Sequence, residues 1–288
     1  LDRSFEIITT DPYVRFTDYQ VSKTKEGLTF AGGGGPPHAI RYTHGEQPAI
    51  PWLGQPEVIF ECSGKYTEAA RCQSYLHGQT KLVLISATSW DADKTIVFGF
   101  NHREFDPKQH RVISYGSCTV NGYVPLANFL HGQFGVIDSD VNVVHNIVLH
   151  KLPQHDTLLR KFCTLERSAP NLLPFVDDKT NFVVTYSVVP WGGVSMIDFR
   201  FRLGRPPTRD ELIRTLEQAM AEGPLAGLYG MVPGDGGPEE HQCTPFSAVF
   251  IEEGIKVRGD SVYLQAYFDT ENSVNRFFDT ANHVIGRL

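Results

Sequence analysis

Apolar residues in the first part of the chain come in short, nearly unbroken runs, each closed by turn-forming residues. Residues 5–10 (FEIITT) stop at Asp11-Pro12, 58–61 (VIFE) stop at Ser63-Gly64, and 81–86 (KLVLIS) give way to Ala87-Thr88. Runs at 95–99 and 111–115 follow. Such uniform runs predict strands covered on both faces, as in a parallel sheet. Between two of them, residues 66–77 (YTEAARCQSYLH) have helical spacing, so strand, turn, helix and strand read as a βαβ unit. The pattern then changes. A helix is predicted over 123–133, and longer alternating runs at 182–190, 194–203, 248–251 and 261–268 predict larger antiparallel strands. Thr208, followed by Asp210 and Glu211, caps a further helix that stops at Gly223-Pro224. Residues 273–285 are helix-like, and 31–37 (AGGGGPP) are turn-forming.

Composition narrows the function classes. Of 288 residues, 41% are hydrophobic, enough for one large core or two medium ones. Lysine and arginine number 26 against 33 acidic residues, a net charge of −7. That balance gives no electrostatic footprint for nucleic acid. No run approaches the length of a membrane-spanning helix, and no signal-peptide pattern opens the chain. The first residue is Leu1 rather than Met, so residues upstream in the natural protein are expected. Five cysteines form no CxxC pair and the histidines form no HExxH. A disulfide framework and a metal site are therefore not expected, and a reducing, cytoplasmic setting is.

The sharpest chemical signal is Ser117-Cys118-Thr119-Val120-Asn121, just after an apolar run and just before a helix. A thiol at a helix N-terminus faces unpaired N–H groups and the positive end of the dipole, which favour the nucleophilic thiolate. A free cysteine is more often a buried structural residue, so position alone leaves both readings open. The histidine that fits as its base is His145, embedded in the apolar stretch 143–148 (VVHNIV). An isolated buried imidazole is more often a hydrogen-bonded core residue. His150 points to the opposite face if the strand continues that far.

SCTVN with a histidine 27 residues on resembles the phosphorylating glyceraldehyde-3-phosphate dehydrogenases. Residues 186–198 (YSVVPWGGVSMID) resemble that family's F-R-V-P-T-x-x-V-S-V-V-D run, and 222–230 its E-G-P-L-K-G-x-x-G stretch. Residues 267–276 are similar to its W-Y-D-N-E-x-x-Y-x-N-R segment, and Ser63-Gly64 and Ile85-Ser86-Ala87 match its nucleotide-side turns. Residues 5–13 resemble its second strand. The resemblance covers nearly the whole chain. It implies an α/β plus α+β fold with an incomplete Rossmann-like domain at 1–117, on which 273–288 packs. It also implies a catalytic domain at 118–272 with a large antiparallel sheet, and a homo-oligomer, tetramer or dimer. Carried over, Cys118 attacks the carbonyl and His145 is the base, with the Cys118 amide as an oxyanion donor. Ser117, Thr119, Arg167, Val148 and Val188 take the substrate-side positions. Asp11, Ser63, Gly64, Ser86 and Asn121 take the positions that would meet NAD or NADP.

The departures shape the expected function. The GFGRIGR loop, whose helix N-terminus would bind pyrophosphate, is not in this chain. Either the chain is cropped or dinucleotide binding is weakened. Val148 replaces a threonine and Val188 an arginine, and the S-T-G-A-A-K phosphate loop has no counterpart. Losing that arginine removes a charge and a bidentate donor together. Arg167 is the matching basic residue that remains, and a surface ion-pair role fits it equally. The asparagine that would hold the nicotinamide falls at Asp269 or Thr270. The expected protein is a Cys–His enzyme doing thioester or thiohemiacetal chemistry on an apolar acyl or aldehyde substrate, free or carrier-bound. Acyl transfer, thioester hydrolysis, condensation and cyclisation all fit. The alternatives are an NAD(P)-dependent aldehyde dehydrogenase whose N-terminal segment lies outside this chain, and a non-catalytic scaffold.

Overall fold

The computed structural model describes residues 1–10, 18–45, 49–147, 153, 157–190, 193–268 and 270–288, with side chains left aside at 270–272. Asp11, Val148, His150 and Asp269 therefore lie outside the described residues, as does the side chain of Thr270.

Among the described residues three sheets follow one another along the chain. The first is an antiparallel meander of β1 (Tyr19–Lys23), β2 (Gly27–Gly32) and β3 (His38–Arg41). The glycine-rich stretch forms its second turn, and the sequence pattern gave no hint of its strands. The second sheet is parallel: β4 (Val58–Glu61), β5 (Leu82–Ile85), β6 (Lys94–Thr95) and β7 (Val112–Ser114), in the order β4-β5-β7-β6. The unbroken apolar run of β5 has a direct cause. Leu82 and Leu84 pack into one cluster, Val83 and Ile85 into another on the opposite face.

The third sheet contains β8 (Val136–His145), β9 (Leu159–Arg160), β10 (Phe182–Val188), β11 (Ser195–Leu203), β12 (Tyr229–Val232), β13 (Ala248–Ile251), β14 (Lys256–Arg258) and β15 (Ser261–Phe268). Its order is β12-β13-β15-β11-β8-β10-β9, with β14 on β15. The expectation of an antiparallel sheet needs correcting, because β10 runs parallel to β8 and β12 parallel to β13. Strand β11 alternates strictly between buried and accessible positions. The inner face carries Ile197, Phe199 and Phe201 against helices, and the outer face carries Met196, Asp198, Arg200 and Arg202.

Among the described residues six α-helices complete the fold: α1 (Asp2–Thr10), α2 (Ala69–Cys72), α3 (Cys118–Phe134), α4 (Thr164–Leu172), α5 (Arg209–Glu222) and α6 (Thr270–Ile285). The first corrects a second expectation. Residues 5–10 are helical rather than a strand, and none of α1 is buried. Its polar groups close locally, as in Phe5 N–H to Leu1 O at 2.9 Å and Thr10 Oγ1 to Glu6 O at 2.7 Å. Thr208 caps α5 as expected, accepting from the Glu211 amide at 3.1 Å.

Helix α3 is mostly buried and runs from the parallel sheet into the core of the mixed one. Pro125 inside it cannot donate to the Asn121 carbonyl. The buried Tyr229 hydroxyl compensates: it donates toward the Asn121 and Gly122 carbonyls (3.3 and 2.9 Å) and accepts the Leu126 N–H (3.2 Å). Gly135, left-handed at φ 68°, ends the helix. Helix α6 returns to the parallel sheet, where Phe277, Ala281 and Val284 pack with Leu82, Leu84 and Ile113. Burial of each large apolar side chain there contributes roughly 1.5–3 kcal/mol.

Candidate active site

Strand β7 of the parallel sheet feeds directly into α3, and the turn between them presents Cys118. Gly116 makes this turn at φ +86°, where a Cβ would sit 3.0 Å from Val120 Cγ1. Ser117 is the N-cap: its Oγ accepts the Val120 N–H at 3.3 Å and lies 3.2 Å from Thr119 Oγ1. Thr164 Oγ1, at the first turn of α4, donates to Ser117 Oγ at 3.1 Å, so the starts of α3 and α4 are fastened together. Thr119 is buried with its hydroxyl 3.6 Å from Cys163 Sγ. Asn121 is also buried and donates to the Tyr115 and Ser117 carbonyls at 3.0 Å each. These four polar side chains hold the Cys118 turn in shape.

Cys118 Sγ lies 3.6 Å from His145 Nε2. His145 is the last residue of β8 rather than a mid-strand position. Its Nδ1 is 2.8 Å from the Asn146 carbonyl, which only accepts, so the neutral ring carries its proton on Nδ1 and turns the Nε2 lone pair to the thiol. Asn146 is fixed in turn by Ser195, which accepts its N–H at 2.9 Å and donates to its Oδ1 at 3.0 Å. Neither Ser195 nor Asn146 stood out in the sequence as a positioning residue. The polar Ser195 opening an apolar strand is the signal that marks it.

The sheet register places the neighbours. Val188 is the register partner of His145 in the parallel β8–β10 pair, and Tyr186, two residues earlier, shares that face. Val188 is buried. The Tyr186 and Phe268 rings each lie 5.6 Å from the imidazole. The walls of the site are thus apolar and aromatic. Arg167 is exposed on α4 with its guanidinium 4.5 Å above the Trp90 ring.

Burial pushes the Cys118 thiol up to about 11, against the N–H groups of Cys118 and Thr119, which pull it down. Burial thus opposes the pull toward thiolate that the helix start exerts, and it is the larger of the two effects here. A thiol raised this far keeps its proton at neutral pH, and His145 Nε2, 3.6 Å away, is placed to accept it. Alkylation by iodoacetamide should accordingly rise about tenfold per pH unit from pH 7 to 10. A rate that levels off near pH 7 would contradict a raised thiol.

Ser63, Gly64 and Ser86 lie at the carboxyl ends of β4 and β5, the edge at which open parallel sheets take ligands. Ser63 N–H and Oγ both bond the buried Glu61 carboxylate, which also accepts from Tyr75. The two described turns that leave this sheet for α-helices, after β4 and β7, each carry a single glycine, Gly64 and Gly116, and α2 is four residues long. A pyrophosphate cradle needs a glycine-rich turn into a full helix. The described residues fit the rim of a nucleotide crevice and not its phosphate-binding turn. Among the described residues no group of three or more ligating side chains would hold a metal ion, and no described helix is long and apolar enough to cross a membrane.

No family model matches the chain. It is 30% identical to the glyceraldehyde-3-phosphate dehydrogenase of Streptomyces coelicolor, in an alignment that spans 93% of this chain and 83% of the relative. It is 32% identical to the plasmid-encoded glyceraldehyde-3-phosphate dehydrogenase of Cupriavidus necator, over 84% of this chain and 76% of the relative. Identity to glyceraldehyde-3-phosphate dehydrogenase 1 of Bacillus cereus is 29%, over 83% and 75% respectively.

Proposed function

The chain belongs to the glyceraldehyde-3-phosphate dehydrogenase family, and from that premise we propose an enzyme in which Cys118 captures a carbonyl carbon while His145 takes the thiol proton. The observation that carries this is the 3.6 Å approach of Sγ to an imidazole nitrogen whose lone pair is directed to it by the Asn146 carbonyl. An aldehyde gives a thiohemiacetal, and an activated acyl group gives a thioester with loss of its leaving group. Val188, buried beside the imidazole, and Phe268, 5.6 Å from it, favour an apolar substituent on that carbonyl over a phosphorylated one. Acyl transfer, condensation or cyclisation completes the reaction, with the acyl group free or delivered on a carrier. The test is intact mass and peptide mapping after incubation with p-nitrophenyl hexanoate. One hexanoyl group on Cys118 is expected. No adduct, or one spread over all five cysteines, would overturn the reading.

A second reading, NAD(P)-dependent oxidation of an aldehyde, is favoured by the names of the relatives, all dehydrogenases, and by Ser63, Gly64 and Ser86 at the sheet edge. It shares the Cys118 step. Calorimetric titration with NAD and with NADP separates the two, and micromolar binding would put oxidation first.

The same reading takes residues 1–117 with 273–288 as the nucleotide-side domain and 118–272 as the catalytic domain, in a cytoplasmic homo-oligomer, dimer or tetramer. The accessible apolar residues Val183, Met196 and Tyr263 on the outer face of the mixed sheet support self-association.

A further inference from the structure

A carbonyl attacked by Cys118 leaves a negative oxygen that needs donors. The hydroxyls nearest in sequence are spent: Ser117 on the Val120 amide, Thr119 and Thr164, and Thr119 beside Cys163. The side-chain N–H groups of Asn121 are committed to the Tyr115 and Ser117 carbonyls. Tyr186 differs. It projects from β10 on the same face as Val188 and His145, half-buried, with its ring 5.6 Å from the imidazole and tilted at 46°. Among the described residues no hydrogen bond to its phenol oxygen is formed. The Tyr186 ring thus lies beside the same imidazole whose Nε2 is 3.6 Å from Cys118 Sγ.

We propose that the Tyr186 phenol is a catalytic hydrogen-bond donor to the oxyanion formed when Cys118 adds to a carbonyl. The proposal rests on the covalent reading above. Burial pushes the phenol well above its ordinary value, so it keeps its proton and donates throughout the neutral range. With a p-nitrophenyl ester the Cys118 sulfur bonds the carbonyl carbon, its proton passes to His145 Nε2, and the C=O π pair moves to oxygen. That oxygen accepts the Tyr186 O–H, which is not transferred. Collapse re-forms C=O, breaks the ester C–O bond and expels p-nitrophenolate, leaving a thioester on Cys118.

The test pairs two reactions at the same sulfur. Acylation by p-nitrophenyl acetate passes through an oxyanion, whereas alkylation by iodoacetamide is a displacement at saturated carbon and does not. Tyr186→Phe keeps the ring against His145 and removes only the hydroxyl. Acylation of Cys118 should slow by on the order of 10- to 100-fold, with alkylation within about twofold, a limit that allows for rate scatter between preparations. Unchanged acylation in Tyr186→Phe overturns the proposal alone. Equal slowing of both reactions overturns it too, since that marks a disturbed thiol rather than a lost donor. Failure of the unmutated protein to acylate at Cys118 overturns the covalent reading beneath it.

Discussion

Cys118→Ala is expected to lower acyl capture by at least about 10³-fold, because the residue that forms the bond is gone and no neighbouring group replaces it. Cys163, the next thiol, is buried and pushed up to about 11 by desolvation, with its sulfur beside Thr119. Cys62 is exposed but sits at the end of β4 in the parallel sheet. The substitution removes one half-buried sulfur and leaves the Ser117 cap and the Asn121 bonds in place. Thermal unfolding should therefore move by no more than a few degrees. Rates measured as p-nitrophenolate release, beside a melting curve, separate loss of chemistry from loss of fold. Retained acylation in Cys118→Ala would place the nucleophile elsewhere.

His145→Asn should reduce acylation at pH 7 by roughly 10²- to 10³-fold. The neutral thiol loses its proton acceptor, while an asparagine amide can still donate to the Asn146 carbonyl. The deficit must depend on pH, and its sign is set by the raised thiol. Below about 11 Cys118 is protonated and depends on the base, and as pH climbs toward 11 the thiol ionises unaided. The gap between the variant and the unmodified protein should therefore narrow steadily from pH 7 to 10. A deficit constant across that range would mean that His145 acts by packing alone.

Much of the site was legible in the sequence. Ser117-Cys118 stood out because an apolar run, a small-residue turn and a helix start occur together, and these three features are what bring a thiol to a helix N-terminus. His145 stood out as a polar residue amid valines. Its tautomer did not, because that depends on the Asn146 carbonyl and on Ser195, which is 49 residues away. Tyr186 and Val188 become neighbours of the imidazole only through the parallel pairing of β10 with β8, and alternation within one strand says nothing about partner or register. The thiol's acidity is hard to read from sequence for a related reason: the helix dipole is local and visible, whereas desolvation is set by distant chain segments. Residues 5–10 misled because their short apolar run fits a helix turn as well as a strand. The three-stranded meander went unseen since its strands are short and mostly accessible.

Helix α6 has a consequence for how the protein is made. The parallel sheet is built from residues 58–114, yet one of its faces is closed by Phe277, Ala281 and Val284, and Tyr115 meets its hydrogen-bond partner Ser273 after 158 further residues. On the ribosome, the early sheet must wait with an apolar face open until the last helix emerges. At about 5–20 residues per second, that delay is on the order of ten seconds. The nascent chain is a candidate for chaperone holding throughout it. Truncation before α6 should leave the parallel sheet sticky and unable to complete its fold.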